Sequence, residues 1–206
     1  MASAIIHMAV AKVVKEKMNL SLNEKEYYLG TIAPDISKEI NRSRDESHFI
    51  RNGNICVDDF INKYRLFLNN AFEIGYLIHL CTDAIWNSNF LDNFVYDNQV
   101  KFIDGTVLNL SKEDIRKVIY NDYSNMNILL LEEYNMDLSL FYEEFEYPII
   151  HIDEIPNNLL NIIVKKIGII SLNSKLEKSL VFDINNVKKF IEDASNYCVN
   201  VLSNLI

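Results

Sequence analysis

Glycine and proline are scarce in this chain, five and three respectively among 206 residues. An all-β sandwich or barrel needs a turn about every ten residues, so the shortage argues against that class and favours long helices. Cysteine is scarce too: Cys56, Cys81 and Cys198 are far apart and form no C-x-x-C pair. An odd count with that spacing implies reduced, mostly buried thiols in a cytoplasm, not a disulfide framework. No stretch approaches ~18 uncharged apolar residues, so no transmembrane span is expected. Dense basic clusters are missing as well, and the formal charge is −9. A protein that grips nucleic acid by its phosphates carries a basic face, so nucleic acid is not the expected partner. The segment Met1 to His7 has neither a basic n-region nor a long apolar h-region, from which we expect no export signal and a cytoplasmic location.

Bulky apolar residues are plentiful. Hydrophobic residues make up 49% of the chain and include 11 Tyr and 11 Phe, enough to bury a core and to exclude disorder. One domain spanning residues 1–206 is expected. Apolar residues recur at helical spacing over residues 2–18, with Lys12, Lys15, Glu16 and Lys17 on the other side. Asn23 followed by Glu26 reads as a capping box opening a short helix from Glu24 to about Leu29, which Gly30 and Pro34 end. From Asp35 to Asn54 the composition turns polar and charged, as in an excursion over the surface with His48-Phe49 at its far end. Further helices are expected over Val57–Asn69, over Ala71 to about Phe90, from Ser111 to about Asn127 or beyond, over Leu159–Leu172 and from Asn185 to about Leu205. Residues 92–110 are ambiguous, and residues 135–156, with two prolines and many aromatics, resist assignment.

The chain has 4 histidines, three of them in the first 80 residues, each with an aspartate in view. His79 and Asp83 lie four apart, so on a helix they project from one face about 6 Å apart along the axis, a spacing from which both can reach one metal ion. Taken singly, each candidate has a plainer explanation. His79 and Asp83 can satisfy one another in a core, His7 can be a packed core residue, Asp35 after Ala33-Pro34 can be a turn aspartate, and His48 can sit on the surface. Their ordered co-occurrence, His7, Pro34-Asp35, His48 and His79-x-x-x-Asp83, points instead to metal.

The same order is carried by three motifs: Gly30-Thr31-Ile32-Ala33-Pro34-Asp35, Ser47-His48-Phe49, and the run Gly75-Tyr76-Leu77-Ile78-His79-Leu80-Cys81-Thr82-Asp83-Ala84-Ile85-Trp86. These resemble the bacterial zinc-dependent phospholipase C family, with His7 matching its early helical histidine and the likeness most specific over residues 5 to 90. The resemblance implies an all-α fold, a single-domain multi-helical bundle, and a cluster of metal ions that hydrolyses phosphodiesters. Carried over by motif, Asp35, His48, His79 and Asp83 would share one ion, and His7 and Asp83 would hold a second, the Asp83 carboxylate bridging. The secreted enzymes of that family also use a mature N-terminal Trp, and two His and one Glu later in the chain. This sequence begins Met1-Ala2-Ser3, and its only later histidine is His151, with Glu154 three residues on. His151 is expected to be structural or exposed, which leaves one to two ions. Tyr120-Asn121-Asp122-Tyr123 and Val181-Phe182-Asp183 resemble the family only in a general way.

Three imidazoles and two carboxylates form a borderline N/O donor set that suits Zn²⁺, and also Fe, Mn, Co or Ni. Two such ions ~3.5–4 Å apart activate water and stabilise both the attacking and the departing oxygen at phosphorus. Asp35 is the catalytic candidate, as ligand or as base. Lys38, Arg42 and Arg44 lie between Asp35 and His48, where one could meet a substrate phosphate, whereas Tyr76 and Trp86 are expected in the core. The expected function is thus a metal-dependent phosphoesterase acting on a phosphoester small molecule or a phospholipid head group. Two alternatives stand beside it. An HD-type phosphohydrolase needs an adjacent His-Asp pair, and none occurs. A non-catalytic helical protein would use the metal to staple helices, coupling binding to folding without an open coordination position.

Overall fold

A computed structural model describes residues 1–37, 39–143 and 146–205. Among these residues the chain forms eight α-helices and two small antiparallel sheets, so it is mostly α as expected. Helix α1 (Ala4–Lys17) starts where the Ser3 hydroxyl accepts the Ile6 N–H, and α2 (Glu24–Gly30) where the Asn23 side chain accepts the Glu26 N–H. Both caps satisfy backbone donors that have no partner within the helix. A 3₁₀ turn over Ala33–Ile36, with Pro34 near its start, carries Asp35. A short helix α3 (Arg44–Ser47) follows, then the hairpin β1 (Ile50–Arg51) and β2 (Asn54–Ile55).

The expected surface excursion, Asp35 to Asn54, is exposed over most of its described residues and departs from expectation at its far end. His48 is fully buried and Phe49 nearly so. Phe49 sets its ring edge-on against Phe60 at 5.3 Å and Tyr64 at 6.3 Å. To do so it adopts φ +53°, an uncommon value for a bulky residue that the surrounding packing must hold. The polar composition of the segment is real, but burying one aromatic ring turns His48 inward.

Helix α4 (Val57–Tyr64) is shorter than expected and gives way to a 3₁₀ turn, Arg65–Phe67. Helix α5 (Ala71–Ile85) is the centre of the molecule: every residue from Ala71 to Asp83 is buried. It packs against α2 most extensively, and also against α1 and α4. Two glycines make the α2–α5 crossing possible. A Cβ on Gly30 would lie 2.1 Å from the Phe72 carbonyl oxygen, and one on Gly75 would lie 2.1 Å from the Tyr27 carbonyl oxygen. The backbones therefore touch at a distance that no other residue type permits.

After α5 the chain continues in a π-helical turn, Trp86–Phe90, whose Trp86 ring meets Phe90, Phe182 and Phe190 in the core. The ambiguous segment becomes a three-stranded meander: β3 (Val95–Tyr96), β4 (Gln99–Lys101) and β5 (Val107–Asn109). Asp97 and Asn98, both at positive φ, form the two-residue loop of its first hairpin, a turn chemistry legible in retrospect. Helix α6 (Lys112–Glu133) is capped by Ser111 as expected, and α7 (Asn161–Leu172) and α8 (Ile184–Leu202) complete the order. Helix α8 packs on α1 and α5.

Between α6 and α7 lies a 3₁₀ turn, Ser139–Phe141, and a segment anchored by side chains. Buried Glu73 accepts the His151 backbone N–H at 2.9 Å and faces its Nδ1 at 3.0 Å. His151 also stacks on Phe67 at 4.0 Å. Glu154 does not join His151; it pairs with Lys63 and accepts the Tyr64 hydroxyl. No helix among the described residues is long and apolar enough to cross a membrane.

Candidate metal centre

The five side chains singled out in the sequence come together beside α5. His79 and Asp83 lie one helical turn apart on α5, His7 arrives on α1, Asp35 on the 3₁₀ turn, and His48 at the end of α3. His7, His48, His79 and Asp83 are fully buried, while the Asp35 side chain keeps 9% exposure. The His7 and His79 rings stack at 3.8 Å, and His48 meets His79 edge-on at 5.1 Å.

The distances between nitrogen and oxygen atoms are informative. His79 Nε2 lies 3.2 Å from His48 Nε2, and His48 Nε2 lies 3.5 Å from Asp35 Oδ1. Asp83 Oδ2 lies 3.7 Å from His48 Nε2 and 3.8 Å from His79 Nε2, while Asp83 Oδ1 lies 3.4 Å from His7 Nε2. Donors about 2.0–2.1 Å from a tetrahedral zinc lie about 3.3 Å from one another, so the observed set has metal-ligand spacing. His48, His79 and Asp83 converge within 4.8 Å, as do His7, Asp35 and His79. The two carboxylate oxygens of Asp83 face different histidines, the disposition a bridging ligand requires.

The hydrogen bonds that hold the His79 and His48 rings leave their Nε2 atoms facing the cluster. His79 Nδ1 meets the Thr31 carbonyl at 2.8 Å. That contact fixes the tautomer with the proton on Nδ1 and leaves an Nε2 lone pair directed into the cluster. His48 Nδ1 is held in the same way, by the Arg44 carbonyl at 3.2 Å and the Ser47 hydroxyl at 2.9 Å. Ser47 is itself anchored to the Pro34 carbonyl at 3.1 Å, and the Tyr76 hydroxyl donates to the Ser47 carbonyl. Tyr76 and Trp86 are thus core residues. The α2–α5 backbone contact brings Thr31 to His79, because Gly75 lies one turn before the histidine. Both ring nitrogens of His7 are buried without a hydrogen bond, Nε2 only facing Asp83 Oδ1 at 3.4 Å. Such a group costs on the order of 1–3 kcal/mol unless something binds it, so the residues present fit a zinc ion.

Charge follows the same pattern. Burial pushes the Asp83 carboxyl up, but the close approach of His7, the N-terminal amine and the His79 imidazole outweigh it and hold the group well below the usual carboxylate range. For Asp35, burial again pushes up, and the His48 contact, with the His79 and His7 imidazoles and the Lys166 ammonium nearby, brings it well below that range. Burial is the main cause that pulls the His79 imidazole well below its ordinary value, so it is neutral near pH 7. Ionised carboxylates and neutral imidazoles are the protonation states metal ligands need.

The cluster forms one end of a cavity of about 550 Å³, lined there by Asp35 and His48, a size suited to a small-molecule ligand. Of the three cations expected near a substrate phosphate, Arg44 lines this cavity, its guanidinium 3.5 Å from Asp83 Oδ2. Arg42 is exposed and does not line it, and Lys38 lies outside the described residues. The first residues add polar contacts: the Ala2 N–H donates to Asp83 Oδ1 at 2.8 Å, and the Tyr123 hydroxyl donates to the Met1 carbonyl at 2.6 Å. Sequence reading missed the rest of the lining, including Arg116, Lys165 and Lys166, since nothing in their spacing distinguishes them from ordinary helix-surface cations. Asp122, noted in the sequence without a role, is buried and accepts the backbone N–H groups of Leu180, Val181 and Phe182, which docks the start of α8 onto α6.

A family model described as zinc dependent phospholipase C matches residues 4–127. No curated protein and no solved structure matches the chain.

Proposed function

The chain belongs to the zinc dependent phospholipase C family, and on that premise we propose that it is a zinc-dependent phosphoric diester hydrolase working from the His7, Asp35, His48, His79 and Asp83 cluster. One observation carries the reading: donors from four separate segments converge at ligand spacing where His7 offers two buried nitrogens that make no hydrogen bond. His48, His79, Asp35 and Asp83 would hold one zinc, with His7 and Asp83 holding a second. Fe, Mn, Co or Ni would suit the same donors. Bound zinc supplies Lewis acidity toward a phosphate oxygen and toward water.

The chain's own groups do the rest. Arg44 places a guanidinium at the cavity end of the cluster, where it orients a phosphodiester and meets negative charge that grows on its oxygens. Asp35 retains some exposure at the same end and stays ionised at neutral pH, so it accepts a hydrogen bond from water and aligns it on phosphorus. Its depressed pKa makes it a weak proton acceptor, which favours orientation over full removal of the proton. Thr31, Ser47 and the Arg44 carbonyl hold the imidazoles in the tautomer that points a lone pair inward. The water oxygen bonds to phosphorus as the ester P–O bond breaks, and the proton that water gives up goes to the departing oxygen, which leaves through the cavity as an alcohol. A metal staple without catalysis would have no use for a cavity that reaches His48 and Asp35, and this favours the hydrolytic reading.

The test is elemental analysis of protein purified without chelator, together with turnover of an aryl phosphodiester. One to two equivalents of zinc and turnover that stops on chelation are expected. Zinc that raises the melting temperature while no phosphodiester or phosphomonoester is hydrolysed would establish the structural role instead.

A further inference from the structure

The cavity has two walls to which the hydrolytic reading assigns no task. Helix α6 turns Arg116, Tyr120, Tyr123 and Asn127 toward it, spaced four, three and four residues apart as one helical stripe requires. Helix α7 brings Lys165 and Lys166 together with Ile162, Ile169 and Ile170. With Arg44 the lining therefore holds four cations against two carboxylates, Asp35 and Glu39, in a chain whose formal charge is −9. A local excess of positive charge against so acidic a background concentrates anions at this one place.

The details favour a second anion over a cationic head group. Asp35 belongs to the metal cluster, and Glu39 is already paired with Lys166 at 3.5 Å, so no lining carboxylate is left to receive a quaternary ammonium. An aromatic face is the other way to bind such a group. Here Arg116 already lies over the Tyr120 ring, 5.4 Å from its centre. Lys166 is committed to Glu39 and to the Asp35 carbonyl. Lys165 has no hydrogen bond or ion pair among the described residues, and Arg116 has none beyond its contact with Tyr120. On the same wall, Asn127 is 3% exposed and donates to Ser174, while its Oδ1 is buried without a partner. That is an acceptor which a hydroxyl of a bound molecule would satisfy.

Resting on the phosphodiesterase reading, we propose that this cavity selects phosphodiesters whose head group carries a second anionic group and a hydroxyl, the second anion held by Arg116 and Lys165 while the scissile phosphate lies at Arg44 and the metal ligands. The isoleucines of α7 make room beside the charges for an apolar part of the substrate. The chemistry is shared by an anionic lipid head group and by its deacylated, soluble diester.

Calorimetric titration of the zinc-loaded protein with glycerol bisphosphate, glycerol phosphate and phosphocholine tests the assignment. The bisphosphate is expected to bind at least about ten-fold more tightly than either single phosphate, the worth of one charge-assisted hydrogen bond. In the double variant Arg116→Gln/Lys165→Gln that advantage should shrink to about three-fold or less. Lys117→Gln, at an exposed lysine paired with Glu113, should retain it. Bisphosphate within about three-fold of glycerol phosphate, or phosphocholine as the tightest ligand, would overturn the proposal. Hydrolysis of bis(nitrophenyl) phosphate is measured separately: selective bisphosphate binding without any turnover upholds the anion site and removes the hydrolase, and turnover without selectivity removes the anion site alone. A dihexanoyl lipid bearing the same bisphosphate head group, compared with its deacylated form, identifies the source, since only a lipid substrate gains affinity from its chains.

Discussion

Two walls of the cavity are built differently. On the cluster side, four of five candidate ligands are fully buried, and His48 and His79 are each locked by a backbone carbonyl. On the α7 side, Ile169 is 59% and Leu172 87% exposed, and only Ile163 and Ile167 of the helix are buried. The family match divides the molecule in the same place. It runs over residues 4–127, taking in every candidate ligand and the α6 stripe as far as Asn127 while leaving α7 outside. Metal ligation needs donor atoms fixed to within a few tenths of an ångström, and only a close-packed interior with tight backbone contacts provides that. Recognition of a head group needs charge and shape at a surface, which a half-exposed helix can supply with many sequences.

If that contrast is right, the largest losses come from the buried side. His79→Ala should remove most of the bound zinc and lower aryl phosphodiester turnover by more than about 100-fold, since even groups that only orient a ligand are worth 10–100-fold. Full metal content and full activity in this variant would remove His79 from the ligand set. Next is Gly75→Ala, whose new methyl would meet the Tyr27 carbonyl at 2.1 Å. Forcing α2 from α5 should cost about 3 kcal/mol or more and lower the melting temperature by roughly 6 °C or more, with loss of zinc because Thr31 no longer meets His79. An unchanged melting temperature would show that the crossing is not as tight as described.

Acid should act on the same side. In the folded, metal-free protein the His79 imidazole sits well below its ordinary value, while in the unfolded chain it takes up a proton near pH 6.5. The unfolded state therefore binds more protons as pH falls through that value. The stability is present above about pH 6.5 and is lost toward the lower folded value, at up to about 1.4 kcal/mol per pH unit. Asp83, also held low, adds a loss of the same sign, but only below its unfolded value of about pH 3.9. Thermal melts of chelated protein between pH 7.5 and 5 would reveal a flat profile if His79 were protonated in the fold. The smallest effect belongs to the open side: Leu172→Ser should change stability by less than about 0.5 kcal/mol, as exposed substitutions do. A chemical denaturation midpoint that moves well beyond this would mean that Leu172 is packed against something.

Much of this was open to reading along the chain because each signal was local. Asn23 and Ser111 cap helices where their side chains reach a backbone N–H three residues on, and the His79-x-x-x-Asp83 spacing needs only one turn of helix. His48 was legible as a ligand candidate only through the order of the motifs and their family likeness; by composition its segment reads as solvent-exposed, and a single buried ring, Phe49, reverses that. The Asp97-Asn98 hairpin went unread because a two-residue turn competes poorly with the helical tone of its surroundings. The role of Gly75 was out of reach altogether, since a glycine inside a helix says nothing of the strand of backbone that will lie against it.

What the order of residues determined was the helical class, the caps, and which five side chains have the donor chemistry for a metal. Whether those five meet, which nitrogens stay free, and which cations share a cavity with them were decided by the packing of α1, α2 and α5 and by the placing of α7. The reason is that periodicity and capping act over a single turn of chain, whereas convergence depends on contacts between segments tens of residues apart, whose cost in chain entropy is met only when the whole interior closes.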